Sequence, residues 1–411
     1  MTHVMTSHAD PLKIAIVGSG PSGFYAVEAL LQSGPDVEID LYDRIPVPFG
    51  LVRYGVAPDH QKLKEVTRVF TRLALDQRVR FFGNVTVGHD VSIAELQELY
   101  DAVVIASGAG VDRAMNVPGE DLNGSHAAVD FVGWYNGHPD YRDCRFDLSG
   151  EHAAIVGQGN VAIDVCRILA KTVDELRKTD IAEHALDALA RSRLRTITIV
   201  GRRGPAQMKF TTKELRELGT LTGWDVTLDP ADLELDETSA VEMAAPQAAV
   251  AAKNLEVLRG YAAKPRSQPR EIRIRFFSAP HRVEGDERIK NLVVERTRLS
   301  GPAFRQQAEG TGTYRDIAAD VLFRSIGYAA LPLPGCGAAV AGSAVRPSLQ
   351  DRPERCGPGP RCRRSRCAPH LRDGVDQEGA DRHHRHQPRR QHRNGGEPSR
   401  GQSSAASGRP G

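Results

Sequence analysis

A chain of 411 residues is long enough for two or three domains and a large core. Its formal net charge of +2 excludes a generally basic nucleic-acid binder, yet hides a split: the first 330 residues mix both signs, and the rest is Arg-rich and nearly free of apolar side chains. No apolar run approaches the roughly 18 residues of a membrane span, Met1–Pro11 lacks the apolar region of a secretory leader, and six cysteines in this length form no disulfide framework. A cytoplasmic, reducing setting is expected, with neither nucleic acid nor membrane as partner.

The first organised stretch runs from Leu12 to Leu30. A short apolar strand, Ile14–Val17, turns through Gly18, Ser19, Gly20, Pro21, Ser22 and Gly23 into a helical pattern. This is the G-x-G-x-x-G spacing in the setting that gives it meaning, strand before and helix after. The first glycine permits the tight turn, the second lets a pyrophosphate approach the backbone, and the third lets helix and strand pack closely. The helix N-terminus offers free N–H groups and a positive dipole end to that pyrophosphate. Asp43, twenty residues after Gly23 at the end of the run Val37–Tyr42, is placed to accept from a ribose 2′-hydroxyl. An unphosphorylated ribose, as in FAD or NAD, suits this cradle.

Residues Arg44–Gln61 contain PVPFGLVRYGVAPDH, too long and too rich in Pro and Gly for an ordinary connection, which points to function. A helix is predicted from Gln61 to about Leu75, strands at Arg80–Phe82 and Val85–Val87, and a helix over Ser92–Tyr100 whose Ser92 and Glu95 form a capping pair. Ala102–Ala106 is a buried strand. A second start follows: strand Ala153–Val156, then Gly157, Gln158, Gly159, Asn160, Val161 and Ala162, then a helix through Ala170. The next strand, Thr196–Val200, ends in Gly201-Arg202-Arg203-Gly204 with no carboxylate. Two permanently charged, bidentate donors at this tip are what a 2′-phosphate requires, so this cradle suits NADP. A helix begins near Phe210, with Thr211 or Thr212 as cap and Glu214 in its first turn. Thr222–Lys264 reads as surface helix and loop. Glu271–Phe277, Arg282–Val283 and Asn291–Val294 read as a strand meander, and Asp320–Ile326 as a last buried strand.

The segments GSGPSGFYA, PFGLVRYGVAPDH, FFGNVTVG, DFVGWYNG, VGQGNVAIDV, IVGRRGP, FTTKELREL and RSIGY, spanning Lys13–Tyr328 in order, resemble the NADPH–ferredoxin reductases of the adrenodoxin reductase family, actinobacterial type. The resemblance implies an α/β fold of two Rossmann-like, three-layer dinucleotide-binding domains, the NADP domain inserted into the FAD domain: 1–109 the first FAD-domain part, 110–327 the inserted domain, 328–411 in the place of the second FAD-domain part. It implies an oxidoreductase in which Ser22, Asp43, Leu51 and Val87 join Gly18, Gly20, Pro21 and Gly23 at FAD. Gln158, Gly159, Asn160, Val161, Arg202, Arg203 and Glu214 are implied at NADPH. His60, in APDH, corresponds to the histidine beneath the flavin. From the residues alone, His60 orients a water, tunes the flavin's field, or caps the helix start at Gln61. The basic residues Arg53, Lys62, Lys64, Arg68 and Arg72 suit the steering of an acidic ferredoxin, or a solvated face. An electron-input subunit like the small subunit of glutamate synthase is the alternative enzyme, although its Cys-rich N-terminal segment has no counterpart here. A disulfide reductase lacks its C-x-x-C.

From Ala329 to Gly411 there is no Phe, Trp, Tyr, Ile or Lys, a composition that cannot offset its chain entropy by burial, so disorder is expected. His383, His384 and His386 lack tetrahedral Cys/His spacing, and no metal site is expected. Read one nucleotide late with permitted synonymous codons, Asp373–Pro388 (DGVDQEGADRHHRHQP) becomes TGWIKRGPTGIIGTNR, which resembles the family's flavin-covering motif, with Val375 in the coding place of its tryptophan. The expectation is a frame shift between Gly335 and Cys367. The alternative product is then a flavin-poor remnant that binds only NADP.

Overall fold

The computed structural model describes residues 10–33, 36–330 and 332–335. The tail cysteines from Cys336 on, the tail histidines, Val375 and the re-read segment lie outside the described residues.

The first sheet takes its strands from β1 (Leu12–Val17), β2 (Val37–Asp43), β3 (Val79–Gly83) and β4 (Ala102–Ile105), all parallel in the order β3-β2-β1-β4. Between them run α1 (Pro21–Gln32), α2 (Leu51–Tyr54), α3 (Gln61–Lys64), α4 (Thr67–Ala74) and α5 (Ile93–Leu99). Phe24 and Val27 of α1 and Phe70 of α4 cover one face, Phe24 and Phe70 stacking at 4.8 Å. Ile93 and Leu96 of α5 cover the other against Ala15 and Val17. The capping pair forms as expected: Ser92 Oγ accepts from Glu95 N, and Glu95 accepts from Ser92 N at 2.8 Å. Two predicted elements differ. The single helix from Gln61 breaks at Glu65 and Val66 into α3 and α4, where Thr67 Oγ1 donates to Lys64 O at 2.7 Å and the Lys64 side chain turns inward to an ion pair with Asp180. Val85–Val87 is not a strand; Val87 makes only an isolated bridge to Val91.

Past β5 (Val111–Asp112) the second sheet begins. Its strands are β6 (Ser125–Ala127), β7 (His152–Val156), β8 (Thr196–Val200), β9 (Trp224–Leu228), β10 (Arg270–Arg275) and, from further along the chain, β14 (Val321–Arg324). All are parallel, in the order β6-β14-β7-β8-β10-β9. Helices α6 (Ala128–Tyr135), α7 (Asn160–Ala170), α8 (Val173–Leu176), α9 (Glu183–Leu189), α10 (Thr212–Leu218), α11 (Glu237–Ala244) and α12 (Ala249–Ala263) interleave with them. An antiparallel meander, β11 (Ser278–Gly285), β12 (Ile289–Ser300) and β13 (Gln307–Ala318), packs Val283, Leu292 and Val294 against Ala154, Val156 and Leu322 of the sheet. Helix layer, parallel sheet and meander make three layers. The expected fold class, two Rossmann-like α/β units, is what forms.

The meander differs from expectation in two ways. Glu271–Phe277 does not belong to it: Ile272 and Ile274 are wholly buried, and β10 sits between β8 and β9. Within Thr222–Lys264, read as surface helix and loop, Trp224–Leu228 is an edge strand whose Trp224 donates to Ala170 O at 2.8 Å. Its short alternating pattern, with polar Asp225 and Thr227, carries too little apolar signal to separate from a loop. Finally β15 (Tyr328–Ala329) returns antiparallel to β5, so the chain leaves for the second sheet and comes back from it side by side.

Candidate functional site

The two Gly-rich turns share one construction. Gly18 and Gly157 lie at φ +109° and +146°, and a Cβ there would fall 2.3 Å from Ala106 O and 2.1 Å from Ser325 O. At Gly23 a Cβ would meet Gly18 O at 2.0 Å; its counterpart Ala162 is fully buried. The middle glycines differ from these. Around Gly20 the nearest heavy atom is Gly50 Cα at 3.9 Å, and around Gly159 nothing lies within 4 Å. Among the described residues, space is therefore open beside Gly159, whereas at Gly20 a side chain would come into van der Waals contact with Gly50; the third positions, where strand and helix must touch, are closed. α1 and α7 both begin there, Pro21 in the first turn of one and Asn160 opening the other.

The strand tips diverge. Asp43 Oδ2 accepts from Ser19 N at 2.9 Å and Ser19 Oγ at 2.6 Å, and Oδ1 from Ile45 N at 3.0 Å. It braces the first turn and keeps lone-pair capacity for a ribose hydroxyl. Arg202 and Arg203 at the second tip have no ion-pair partner among the described residues, while their carbonyls are pinned, Arg202 O by Thr297 Oγ1 at 2.7 Å and Arg203 O by Phe277 N at 3.2 Å. Gln158 folds under this tip, its Nε2 3.4 Å from Arg203 O. Asn160 Oδ1 accepts from Thr211 N at 2.9 Å, joining the start of α7 to that of α10, and Val161 is half-buried beside it.

Of the remaining expected flavin residues, Ser22 and Leu51 are exposed and Val87 is buried under α5. Leu51 follows a turn in which Phe49 holds φ +93°, a conformation that costs a bulky residue of order 1–3 kcal/mol. Phe49 N donates to Ser19 O at 2.9 Å, and Gly50 lies against Gly20. The PVPFG loop thus packs on the first cradle.

His60 is buried and makes no side-chain cap to α3, which removes the helix-capping reading. Its Nε2 lies 3.3 Å from Glu214 Oε2 and 3.5 Å from Glu217 Oε2, and its Nδ1 4.0 Å from Asp164 Oδ1. The Glu214 hydrogen bond raises the imidazole above its ordinary pKa, against burial and the charge of Arg167. Glu214, expected at NADPH, is itself buried. Burial works to raise its pKa, but His60 and Arg167 outweigh this and lower it.

Sequence reasoning missed the group that organises this cluster. Arg167 on α7, 1 % exposed, grips Asp59 with two hydrogen bonds, 2.9 Å from Nε and 2.7 Å from Nη2, and its Nη1 lies 2.5 Å from Glu214, 3.0 Å from Asp164 and 3.2 Å from Glu217. Lys171 adds a contact to Asp59 at 2.6 Å. Despite burial, these cations hold Asp59 well below the usual carboxylate range. Asp164 goes the other way, pushed up by burial to about 6. The available signal was the i, i+3 spacing of Asp164 with Arg167 and of Glu214 with Glu217, which puts each pair on one helix face. His60, Glu214 and Glu217 have ligand atoms within 4.8 Å of one another, a metal-like spacing, but Nη1 of Arg167 already sits where a cation would.

Of the basic group near His60, Lys64 must be removed. It is buried and bonds Asp180 at 2.8 Å and Asn136 at 3.3 Å. Arg53, Lys62, Arg68 and Arg72 are exposed. Among the described residues no helix is long and apolar enough to cross a membrane.

Comparisons with known proteins place the chain among similar proteins. The pyridine nucleotide-disulphide oxidoreductase family model matches residues 12–214. NADPH-ferredoxin reductase FprA of Mycobacterium tuberculosis is 48 % identical over 334 residues, 79 % of this chain and 72 % of that protein. The mitochondrial NADPH:adrenodoxin oxidoreductase of Bos taurus is 43 % identical over 339 residues, 80 % of this chain and 69 % of that protein. The solved structure of M. tuberculosis FprA in complex with NADPH superposes with a TM-score of 0.75 at 47 % identity, covering 79 % of this chain and 72 % of the other. At this degree of identity over about four-fifths of its length, the chain belongs to the NADPH–ferredoxin and adrenodoxin reductase family.

Proposed function

We propose that this chain is a flavoprotein oxidoreductase that passes electrons from NADPH through FAD to a ferredoxin. The observation that carries the reading is the contrast between two cradles of like construction: an acidic strand tip at Asp43 suits FAD, and Arg202 and Arg203, with no ion-pair partner among the described residues, suit the 2′-phosphate of NADPH. The absence of side chains at Gly20 and Gly159, with open space beside Gly159, supports a pyrophosphate at each turn. On this reading Gly18, Gly20, Pro21, Ser22, Gly23, Asp43, Leu51 and Val87 hold FAD. Gln158, Gly159, Asn160, Val161, Arg202 and Arg203 hold NADPH, with Glu214 reaching it through the buried cluster. When bound, a flavin supplies the conversion between two-electron hydride donation and one-electron acceptance by an iron–sulfur protein. The chain's own part is to orient both nucleotides, exclude water, and keep a proton on His60 against Glu214 and Glu217. We divide the chain at the β5–β15 ribbon, 1–109 as the first part of the FAD domain and 110–327 as the inserted NADPH domain, with residues from 328 in the coding place of the second FAD part. Exposed Arg53, Lys62, Arg68 and Arg72 suit an acidic ferredoxin, and a cytoplasmic location is part of the same reading.

The tail favours a second reading of the chain as written, that of a flavin-poor protein that still binds NADP. Absorbance spectra before and after NADPH test both. With the frame restored between Gly335 and Cys367, a yellow protein whose flavin band NADPH bleaches, and which reduces ferredoxin, is expected; absence of FAD there would sink the flavoprotein reading. As written, the chain is expected to bind NADP+ with FAD well below one per chain. Stoichiometric flavin would sink the frame-shift reading, as would an intact mass and gene sequence that carry this tail in frame together with bound FAD.

A further inference from the structure

The turn that carries His60 belongs, by sequence, with the first sheet, while every charged group facing the imidazole belongs with the second. α10 supplies Glu214 and Glu217, and Lys213 approaches Glu217 at 3.7 Å. α7 supplies Asp164 and Arg167. From α6, Tyr135 is wholly buried with an unpartnered hydroxyl, its ionisation pushed far up by burial and by the nearby Asp164. Within the turn His60 N donates to Ala57 O at 3.0 Å and Gln61 Nε2 to Pro58 O at 2.8 Å, but neither bond reaches the imidazole, and the ring makes no side-chain cap to α3. What ties the turn down is the neighbouring residue: Asp59 is gripped by both arms of the Arg167 fork, and the same guanidinium reaches Glu214 on the far side.

We propose that Arg167 is a positioning residue for His60, its fork on Asp59 delivering the imidazole to the Glu214–Glu217 pair across the junction of the two units. The geometry demands a guanidinium. One planar group donates in two directions at once, which a lysine ammonium at the end of a flexible stem cannot reproduce. An isolated buried pair adds little stability, and Lys171 already gives Asp59 a counter-charge. The Arg167–Asp59 fork therefore adds direction more than charge. What His60 is positioned toward rests on the reading of the site as the meeting place of NADPH and flavin; the fork itself does not.

Charge-conserving variants separate position from charge, and His60 can be followed by NMR titration of histidine-labelled full-length chain without any flavin. Arg167→Lys and Asp59→Glu each keep every charge but break the two-point contact. Both are expected to lower the His60 titration midpoint toward the ordinary histidine value, because the ring drifts from Glu214, while circular dichroism stays native. An unchanged midpoint in a folded variant overturns the proposal. Asp59→Glu decides if Arg167→Lys does not fold. The unmutated chain gives an independent reading: a slowly exchanging Arg167 Nε–H supports the fork, and exchange as fast as an exposed arginine's overturns it. The fork stands or falls on these tests in the flavin-free chain as written, whereas the proposed function stands or falls on flavin in the frame-restored chain.

Discussion

The two cradles make the instructive comparison in this molecule. Their turns are near copies, with positive-φ glycines at Gly18 and Gly157 and a small third residue at Gly23 and Ala162; among the described residues the space beside Gly159 is open, whereas Gly50 comes up to Gly20. Their strand tips are chemical opposites. Asp43 spends much of its hydrogen-bonding capacity inside the protein, on Ser19 and Ile45, whereas Arg202 and Arg203 spend backbone carbonyls and have no ion-pair partner among the described residues. On the proposed reading one backbone device for pyrophosphate is used twice, and the discriminating groups sit one strand away, where they can differ without disturbing it.

The difference can be broken most severely at the arginines. The double substitution Arg202→Ala, Arg203→Ala is expected to weaken NADP+ binding by at least about a hundredfold, since charge-assisted bonds to a phosphate contribute about 1.5–3 kcal/mol each, with little change toward NAD+. Calorimetry with both nucleotides checks this; equal losses for the two would mean that the arginines do not read the 2′-phosphate.

A middle-sized effect separates a closed position from the open one. Gly23→Ala places a methyl 2.0 Å from Gly18 O and is expected to cost about 1–3 kcal/mol of stability. Gly159→Ala meets nothing within 4 Å and is expected to leave stability within about 0.5 kcal/mol while lowering NADP+ affinity. Thermal melts with and without NADP+ compare them. A Gly159→Ala protein that melts early and binds normally would reverse the assignment.

The smallest expected effect belongs to the cluster beside the second cradle. Asp164 has its folded pKa raised by burial to about 6 from 3.8, so the folded state binds a proton the unfolded chain has released. Stability from this group is therefore lost as pH rises between about 4 and 6. Asp164→Asn removes that loss, and its advantage over the parent is expected to grow across that window to about 1–3 kcal/mol and then level off. Denaturant unfolding at pH 4, 5, 6 and 7.5 measures it; a constant difference would show that Asp164 does not titrate there.

Much of this was legible in the residues because it is local. G-x-G-x-x-G between a strand and a helix, Ser92 with Glu95, and an acid or an arginine pair ending a strand act through neighbours within one turn or one βα unit. The parallel sheets, α1, α5 and α7 follow from such patterns. The placement of β10, the edge strand β9 and the inward turn of Lys64 do not, since each is decided by a partner far along the chain: β8 at one side of β10, Ala170 under Trp224, Asp180 drawing Lys64 inward. The same holds for the site. The residue types at Gly18 and Gly159 by themselves determined two Gly-rich turns from strand into helix, and Asp43 and Arg203 the chemical difference on which the proposed nucleotide preferences rest. Only the tertiary structure decided that His60 faces Glu214 and Glu217 instead of capping its own helix, and that Arg167 binds Asp59 from more than a hundred positions away. Burial removes water as a competing partner, so charges on separate elements must pair with one another, and which ones meet is set by how the elements pack.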